Sequence, residues 1–476
     1  MQRLPLELFT RILSFVVDHG SGESLKQIIP LTHVCRYWRA SLLSYPKIWS
    51  TLCMKPGNPS VISEWLARSQ NVPLTVIAEF SDAYEHPICR YRDSPAATID
   101  DPDALAVCPR HEAILSLNQL LPHRSRIRDL DILLHFSDPD WDDDDGDDHD
   151  HEPLLLHHLF FKETLPNLQR LDFRATHLEL FKYVIFAPDS LFAGRLPLLK
   201  DLKYLGMAGG LTGTAENLDS CEIGSWSGSA GPFLIPAIEF QTLLNNNRTV
   251  RSLTVNPAEI MTPDAPQVPA AVSMADLKFL KLGYTLSRDL KIFLSCIHAP
   301  QFGGLDTLQL SLFSHGFRAV ATDGSGHTFE FSQSDWVDLA SQPPQFFGAE
   351  ITTLRLDQGE TLRPRDRPEV HQLLKSLGAV RVLEFDKKRA ESGIFSDLSV
   401  AGILPRLKVI RVMVSRNCRE DLQLLAAISR LRMEAGNPLA TIEPILATGE
   451  DRSGQEFRAE WEKYYGTEGI QNFLSG

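Results

Sequence analysis

The stretch "VRSLTV", residues 250–255, carries apolar residues at its first, fourth and sixth positions, so Leu253 and Val255 alternate with polar neighbours as in a strand with one buried face. The same apolar-x-x-apolar-x-apolar pattern recurs as "IRDLDI", "LQRLDF", "LKYLGM", "LKFLKL", "LDTLQL", "ITTLRL", "VRVLEF" and "LKVIRV". From "VRSLTV" onward the fourth positions are Leu253, Leu280, Leu308, Leu354, Leu383 and Ile410, separated by 27, 28, 46, 29 and 27 residues. Four of these five intervals lie within the roughly 20 to 29 residues of a short structural repeat.

Helical patterns lie between the strand-like segments. In "SRDLKIFLSCI" the residues Leu290, Phe293, Leu294 and Ile297 fall on one helical face, and "PEVHQLLKSLG" repeats this with Val370, Leu373, Leu374 and Leu377. Pro368 suits a first helical turn and Gly378 a C-terminal cap. No single strand-helix unit buries its own apolar face, so the units are expected to stack as a curved solenoid of α/β class, strands on the concave side and helices on the convex side.

Composition narrows the function. The chain has 476 residues, 43% of them hydrophobic, enough for a large core and more than one structural unit. Lys+Arg total 47 against Asp+Glu 61, a formal net charge of -14 that repels polyphosphate, so no nucleic acid is expected as partner. No apolar run reaches the roughly 18 to 20 residues of a membrane span, and the N-terminus lacks the pattern of a secretory signal, which predicts no membrane association and a cytoplasmic or nuclear location. The seven cysteines, 35, 53, 89, 108, 221, 296 and 418, form no C-x-x-C pair and suit a reducing compartment.

The N-terminus reads as a pair of short helices. In "LPLELFTRILSFVV", Leu4, Leu8 and Ile12 form one apolar stripe, Phe9 and Leu13 a neighbouring one, and Pro5 suits the first turn. A second helix is expected from about Leu31 to Leu43, with Leu31, Val34 or Cys35, Trp38 and Leu42 at helical spacing. Two such helices cannot enclose that much apolar surface between themselves, so a partner should cover some of it. Trp38 and Trp49 are read as internal packing, since buried aromatics usually supply core area.

These residues resemble the F-box, the small helical module by which substrate receptors of cullin-based ubiquitin ligases dock onto a Skp-type adaptor. The resemblance rests on Leu4, Pro5, Glu7, Leu8, Ile12 and Leu13, then Val34, Cys35, Arg36, Trp38 and Arg39, then Pro46 and Trp49, and covers about the first 50 residues. It reaches nearer 80 if "EWLARSQNVPLTV" is added, which looks like the segment that follows the F-box in many fungal members. The polar insertion "DHGSGES", residues 18–24, departs from the pattern. With the repeats, the whole is similar to F-box proteins carrying leucine-rich repeats, although the consensus asparagine or cysteine is mostly missing.

The resulting organisation is an F-box module at 1–52, a degenerate leucine-rich-repeat solenoid at 53–435, and a C-terminal tail or capping helix at 436–476. Insertions projecting as loops are expected at about 81–122, 137–153, 206–235, 256–272 and 314–348. In the tail, Phe457, Trp461, Tyr464 and Tyr465 fall at helical spacing, as a cap over the last repeat would. The resemblance implies a non-catalytic receptor that binds a Skp-type adaptor, through it a cullin, and an unidentified protein target on the repeats. The alternative is a repeat scaffold mediating protein-protein interaction outside any ligase.

Two further constellations have the residue types of metal sites. The acidic tract 137–152 mimics a calcium loop around Gly146 but has Trp141 where the first carboxylate is required, and reads as a solvated loop. His86, Cys89, Cys108 and His111 form two x2-spaced pairs that tetrahedral zinc would accommodate, but chance placement in an insertion is the preferred reading and no metal is assigned. No nucleophile elbow, phosphate loop, dinucleotide fingerprint or H-E-x-x-H is present, so no catalytic residue and no cofactor are assigned.

Overall fold

Five strands of the fold are entered through one recurring device, a tight turn closed by two buried apolar residues three apart. In the computed structural model the amide of Leu168 donates to the carbonyl of Leu165, Leu199 to Leu196, Leu277 to Met274, Val380 to Leu377 and Leu407 to Leu404. All ten of these residues are buried. Pro166, Pro197 and Pro405 occupy the second position of three of the turns, where a fixed φ pre-sets the bend. The repeat therefore starts three residues before the pattern read from the sequence.

The described residues are 24–54, 59–81, 109–135, 159–176, 196–205, 216–224, 233–256, 258–261, 270–283, 293–313, 316–333, 351–358, 377–386, 402–413 and 428–445, with Pro5, Leu8, Arg11, Ile12, Phe192, His371, Leu374 and Lys375. The chain is mixed α/β, with a large, mostly parallel sheet and few helices. It divides into two compact units, Met1–Val250 with Asn256–Pro269, and Arg251–Val255 with Ala270–Gly476.

In the first unit, β1 (Thr51–Met54), β2 (Leu74–Ser81), β3 (Ile127–His135), β4 (Arg170–Thr176), β5 (Asp201–Leu205) and β6 (Ser220–Gly224) lie side by side in chain order, all parallel. One rung runs Leu52, Val76, Leu130, Leu171, Leu202, Cys221, and the next Met54, Ala78, Ile132, Phe173, Tyr204, Ile223. Every residue of both rungs is buried. This alternation is why the template positions four and six form the core. Two short strands, β7 (Phe233–Pro236) and β9 (Ala258–Met261), pair separately.

In the second unit the order is β8 (Ser252–Val255), β11 (Phe279–Leu282), β15 (Thr328–Gln333), β14 (Gly316–Thr322), β13 (Thr307–Phe313), β16 (Thr353–Gln358), β17 (Val382–Asp386), β18 (Val409–Met413) and β19 (Thr441–Ile445). Only the pairings of β14 are antiparallel. Its rung is Leu253, Leu280, Phe329, Ala321, Leu308, Leu354, Leu383, Ile410, Ile442, all buried. The pair β10 (Val272–Ser273) and β12 (Ile297–His298) stands apart from it.

Several expectations are corrected. The 46-residue interval between Leu308 and Leu354 holds a β-hairpin, β14 and β15, that enters the sheet itself rather than a projecting loop. The 206–235 insertion contributes β6, overlooked because Cys221 fills an apolar template position in "LDSCEI". The segment "LKYLGM" was read three residues late, since Leu202, not Leu205, stands beside Leu171. The 256–272 insertion contains β9, and the 81–122 insertion ends in a helix, Pro109–Leu120, that buries Leu117 and Leu120. The predicted helix through Ile297 stops at Cys296, because Ile297 pairs with Val272. The tail read as 436–476 begins with a sheet strand, β19. A Schellman turn leads into it: Gly436, at φ +75, donates to Met433, and Asn437 donates to Arg432. The acidic tract, Phe457, Trp461, Tyr464 and Tyr465 lie outside the described residues.

Candidate functional site

Two surfaces have the chemistry of binding sites. The first is N-terminal, where the expected helix Leu31–Leu43 is instead two: α1 (Ser24–Thr32) and α2 (Arg36–Ser44). The break falls at Cys35, whose extended backbone (φ -160) lets its Sγ accept from the amide of Trp38 at 3.5 Å and cap α2. A short 3-10 turn, Pro46–Trp49, then feeds β1. Trp49 is the keystone: its Nε1 donates to the carbonyl of Leu42 at 2.8 Å, and its ring meets Trp65 edge-on at 4.9 Å. Trp65 and Arg68 belong to α3 (Pro59–Ser69), and the Arg68 guanidinium lies 4.6 Å over the Trp49 ring while its Nε holds Glu64. Ile28, Leu42 and Ile48 are also buried.

Against this packed interior, Leu8 is 51% exposed, Ile12 49%, Ile29 52% and Val34 59%. Large apolar side chains at that exposure cost about 1 kcal/mol or more each while they face water. Pro5, Cys35, Arg36 and Arg39 are exposed, and Trp38 and Pro46 are half-buried. Trp49 is internal, as its role in packing requires, and Trp38 less so. Leu4, Glu7 and Leu13 lie outside the described residues.

The second surface is the polar face of the sheet. In the second unit the fifth template position forms the ladder Lys281, Glu330, Val320, Gln309, Arg355, Glu384, Arg411, Glu443. Glu330 is bracketed by Lys281 at 3.0 Å and Arg318 at 2.9 Å. Glu384 is bracketed by Arg355 at 2.6 Å and Arg411 at 2.9 Å, and Arg411 also holds Glu443 at 2.8 Å. Burial pushes both bracketed carboxyls up, but the hydrogen bonds from their cations outweigh it and hold them below their ordinary values. The two bracketed acids are recessed beneath their cations: the Glu384 side chain is 15% exposed against 55% for Arg355, whereas Glu443 at the end of the ladder is 45% exposed against 38% for Arg411.

The first unit differs. There Arg174 joins Asp131 at 2.6 Å and Asp172 at 2.9 Å, and Lys203 joins Glu222 at 3.2 Å. Burial raises the Asp172 carboxyl above its ordinary value against the pull of Arg174. The ladders need the register, although Asp131, Asp172, Lys281, Arg355, Glu384 and Arg411 each sit between the fourth and sixth apolar positions of a recognised template.

Asp323, Ser325 and His327 resemble a nucleophile triad, but the geometry assigns them otherwise. Asp323 Oδ2 at 2.8 Å and Ser325 Oγ at 2.6 Å approach the same ring nitrogen, Nδ1 of His327, whereas a proton relay needs both nitrogens. The group braces the hairpin turn between β14 and β15. Burial pushes the Asp323 carboxyl up, but hydrogen bonds from His327 and Ser325 bring it down to about 2. A depressed carboxyl contributes stability that is present above its unfolded value of about 3.9 and is lost as pH falls through about 2. A carbon-detected NMR titration should find this midpoint, and His327→Ala should return it toward about 3.9. An unshifted midpoint in the parent protein would refute the brace.

Among the described residues no three His, Cys, Asp or Glu side chains gather as metal ligands would. His86, Cys89 and Cys108 lie outside those residues, and only the backbone of His111 is placed, in the helix Pro109–Leu120. No helix among them is long and apolar enough to cross a membrane. In comparisons with known proteins, no family model matches this chain and no curated protein matches it at a significant level.

Proposed function

We propose that this chain is a non-catalytic substrate receptor of a cullin-based ubiquitin ligase, its N-terminal helices docking on a Skp-type adaptor and its repeats holding a protein target. The repeats stack as a leucine-rich-repeat-like solenoid, and ubiquitin is passed by the associated ligase to a target lysine whose effective concentration the assembly raises. The observation that carries this reading is the exposure of Leu8, Ile12, Ile29 and Val34 beside a module whose tryptophan core is already closed by Trp49 and Trp65. Those side chains are anchors in search of a cover.

Calorimetric titration of the purified full chain with a Skp-type adaptor tests it. Binding in the sub-micromolar range is expected, together with co-elution of the cullin through the adaptor. A chain that binds neither adaptor nor cullin is a repeat scaffold, and the receptor reading fails.

A further inference from the structure

Charge is unevenly placed along this chain. Residues 24–63 contain Lys26, Arg36, Arg39, Lys47 and Lys55 and no Asp or Glu, although the chain has 61 acids in 476 residues. The next acid, Glu64, is already engaged by Arg68, whose Nε donates to it at 2.6 Å. With Glu7, Asp18 and Glu23 counted as well, residues 1–63 hold seven Lys and Arg against three Asp and Glu, whereas the whole chain stands at -14. The N-terminal module is basic within an acidic protein.

The exposed cations belong to the same helix pair as exposed apolar side chains. His33, Val34, Cys35 and Arg36 are four consecutive exposed residues at the break between α1 and α2, and Ile29 is exposed in the last turn of α1. Arg39, also exposed, follows Arg36 by three residues and shares its side of α2, whose buried residues are Ser41 and Leu42. The side chains of Arg36, Arg39 and Lys47 have no polar partner among the described residues. Arg36 is the first residue of α2, and the first turn carries no acid. A cation there works against the helix dipole, so helix stability does not account for it.

We infer that the partner seated on Ile29 and Val34 presents carboxylates, which Arg36 and Arg39 receive at the edge of the apolar contact. This deepens the receptor reading by giving the adaptor's docking face its chemistry, and it rests on that reading for the adaptor's identity. Covering Ile29 and Val34 removes water from the neighbouring guanidinium groups, and carboxylates opposite them offset that loss with charge-assisted hydrogen bonds. The same carboxylates supply the negative charge that the start of α2 lacks. They also steer encounter toward the one basic module of a chain that otherwise repels an acidic partner.

Protein is favoured over an anionic membrane for two reasons. Tyr37, Trp38 and Tyr45 are half-buried and Trp49 is buried, so no aromatic ring of residues 24–54 is exposed as an interfacial anchor would be. A membrane is an extended anionic plane that would meet the rest of this acidic chain as well, whereas a compact partner meets the local field.

The test uses the full chain and a purified Skp-type adaptor, with association and dissociation rates followed by surface plasmon resonance at 50 and 500 mM salt, a range over which charge contacts become strongly screened. Association by the parent is expected to slow about ten-fold across that range. Arg36→Gln/Arg39→Gln should associate about three- to ten-fold more slowly than the parent at 50 mM salt, approach it at 500 mM, and dissociate at nearly the parent's rate. It should melt like the parent, since neither side chain has a partner among the described residues and glutamine is a good helix former. Arg36→Glu/Arg39→Glu should bind more weakly still, although carboxylates suit the start of α2 better than cations do, a divergence of binding from stability that a structural role would not give. Lys408→Gln, which removes an exposed cation of the second unit, should bind as the parent does.

Salt-independent association, parent-like rates in Arg36→Glu/Arg39→Glu, or tighter binding to vesicles of phosphatidylserine and phosphatidylcholine than to the adaptor would each overturn the inference. Tight adaptor binding that ignores salt and both arginines refutes this inference alone and leaves the receptor reading standing. A parent chain that binds no adaptor at either salt concentration refutes the receptor reading, and this inference with it.

Discussion

The full chain carrying both Leu8→Ala and Ile12→Ala is expected to bind the Skp-type adaptor about thirty-fold to nearly a thousand-fold more weakly than the parent, with an unchanged melting profile. Each truncation of an apolar anchor that becomes buried on binding costs about 1–2 kcal/mol, and every 1.4 kcal/mol is ten-fold in affinity. The melting profile should hold because both side chains are about half exposed in the free chain and so contribute little to its core. Ile28→Ala provides the contrast: that side chain is fully buried, so its loss should lower stability as well as docking. Adaptor affinity by calorimetry and unfolding by circular dichroism, read on the same preparations, separate the two effects. Unaltered adaptor binding by the double variant would remove the docking role from this face.

How far the fold was legible depended on what each residue type can signal by itself. Positions four and six of the template mark buried rungs because only apolar residues are tolerated where both sheet neighbours are apolar, so Leu253, Leu280, Leu354, Leu383 and Ile410 fell into register as their spacing predicts. Leu308 did not stand next to Leu280, because a hairpin's two strands, carrying Phe329 and Ala321, intervene. Nothing in an apolar pattern distinguishes a looped insertion from one that joins the sheet, since hydrogen bonding between backbones leaves no residue signature. Asn247 illustrates another limit. It takes the place of the first turn leucine, its side chain accepting from the amide of Leu218 at 2.9 Å and donating to the carbonyl of Leu243 at 2.8 Å, a polar substitute that an apolar template passes over.

The candidate site divided along similar lines. The tryptophans were recognisable as core by size, but which one would be deepest depended on the break between α1 and α2, and that break rests on a cysteine acting as a helix cap, a role few sequences advertise. Arg355, Glu384 and Arg411 were each visible as polar residues within strands. Their pairing needed the register, because a one-residue slip would have carried all three to the opposite face.

The deeper burial of Trp49 than of Trp38 leads to the largest stability effect expected in the molecule. Trp49→Ala should destabilise the unfolding transition of the first unit by about 3–5 kcal/mol, the range for removing a buried aromatic side chain. The mechanism has three parts that can be separated. The ring's volume would be left beside Trp65, whose edge-on contact at 4.9 Å would have no partner; the carbonyl of Leu42 would lose its 2.8 Å donor at the end of α2; and Arg68 would lose the ring over which its guanidinium lies. Trp49→Phe keeps much of the volume and the aromatic faces but not the N–H, and since the amide of Tyr45 still donates to the Leu42 carbonyl at 3.4 Å, it should cost about 0.5–1.5 kcal/mol, the net worth of one hydrogen bond. Trp38→Ala, at a half-buried position, should cost less than Trp49→Ala. Because the chain holds two compact units, denaturant unfolding should be followed by near-ultraviolet circular dichroism and by proteolysis within residues 24–81, so that the transition assigned to this module is not averaged with the other. If Trp49→Ala unfolds at the parent's denaturant midpoint, or if Trp38→Ala proves the more damaging of the two, the tryptophan packing does not hold the module together, and the exposed side chains of Leu8, Ile12, Ile29 and Val34 lose the rigid platform that the proposed adaptor docking requires.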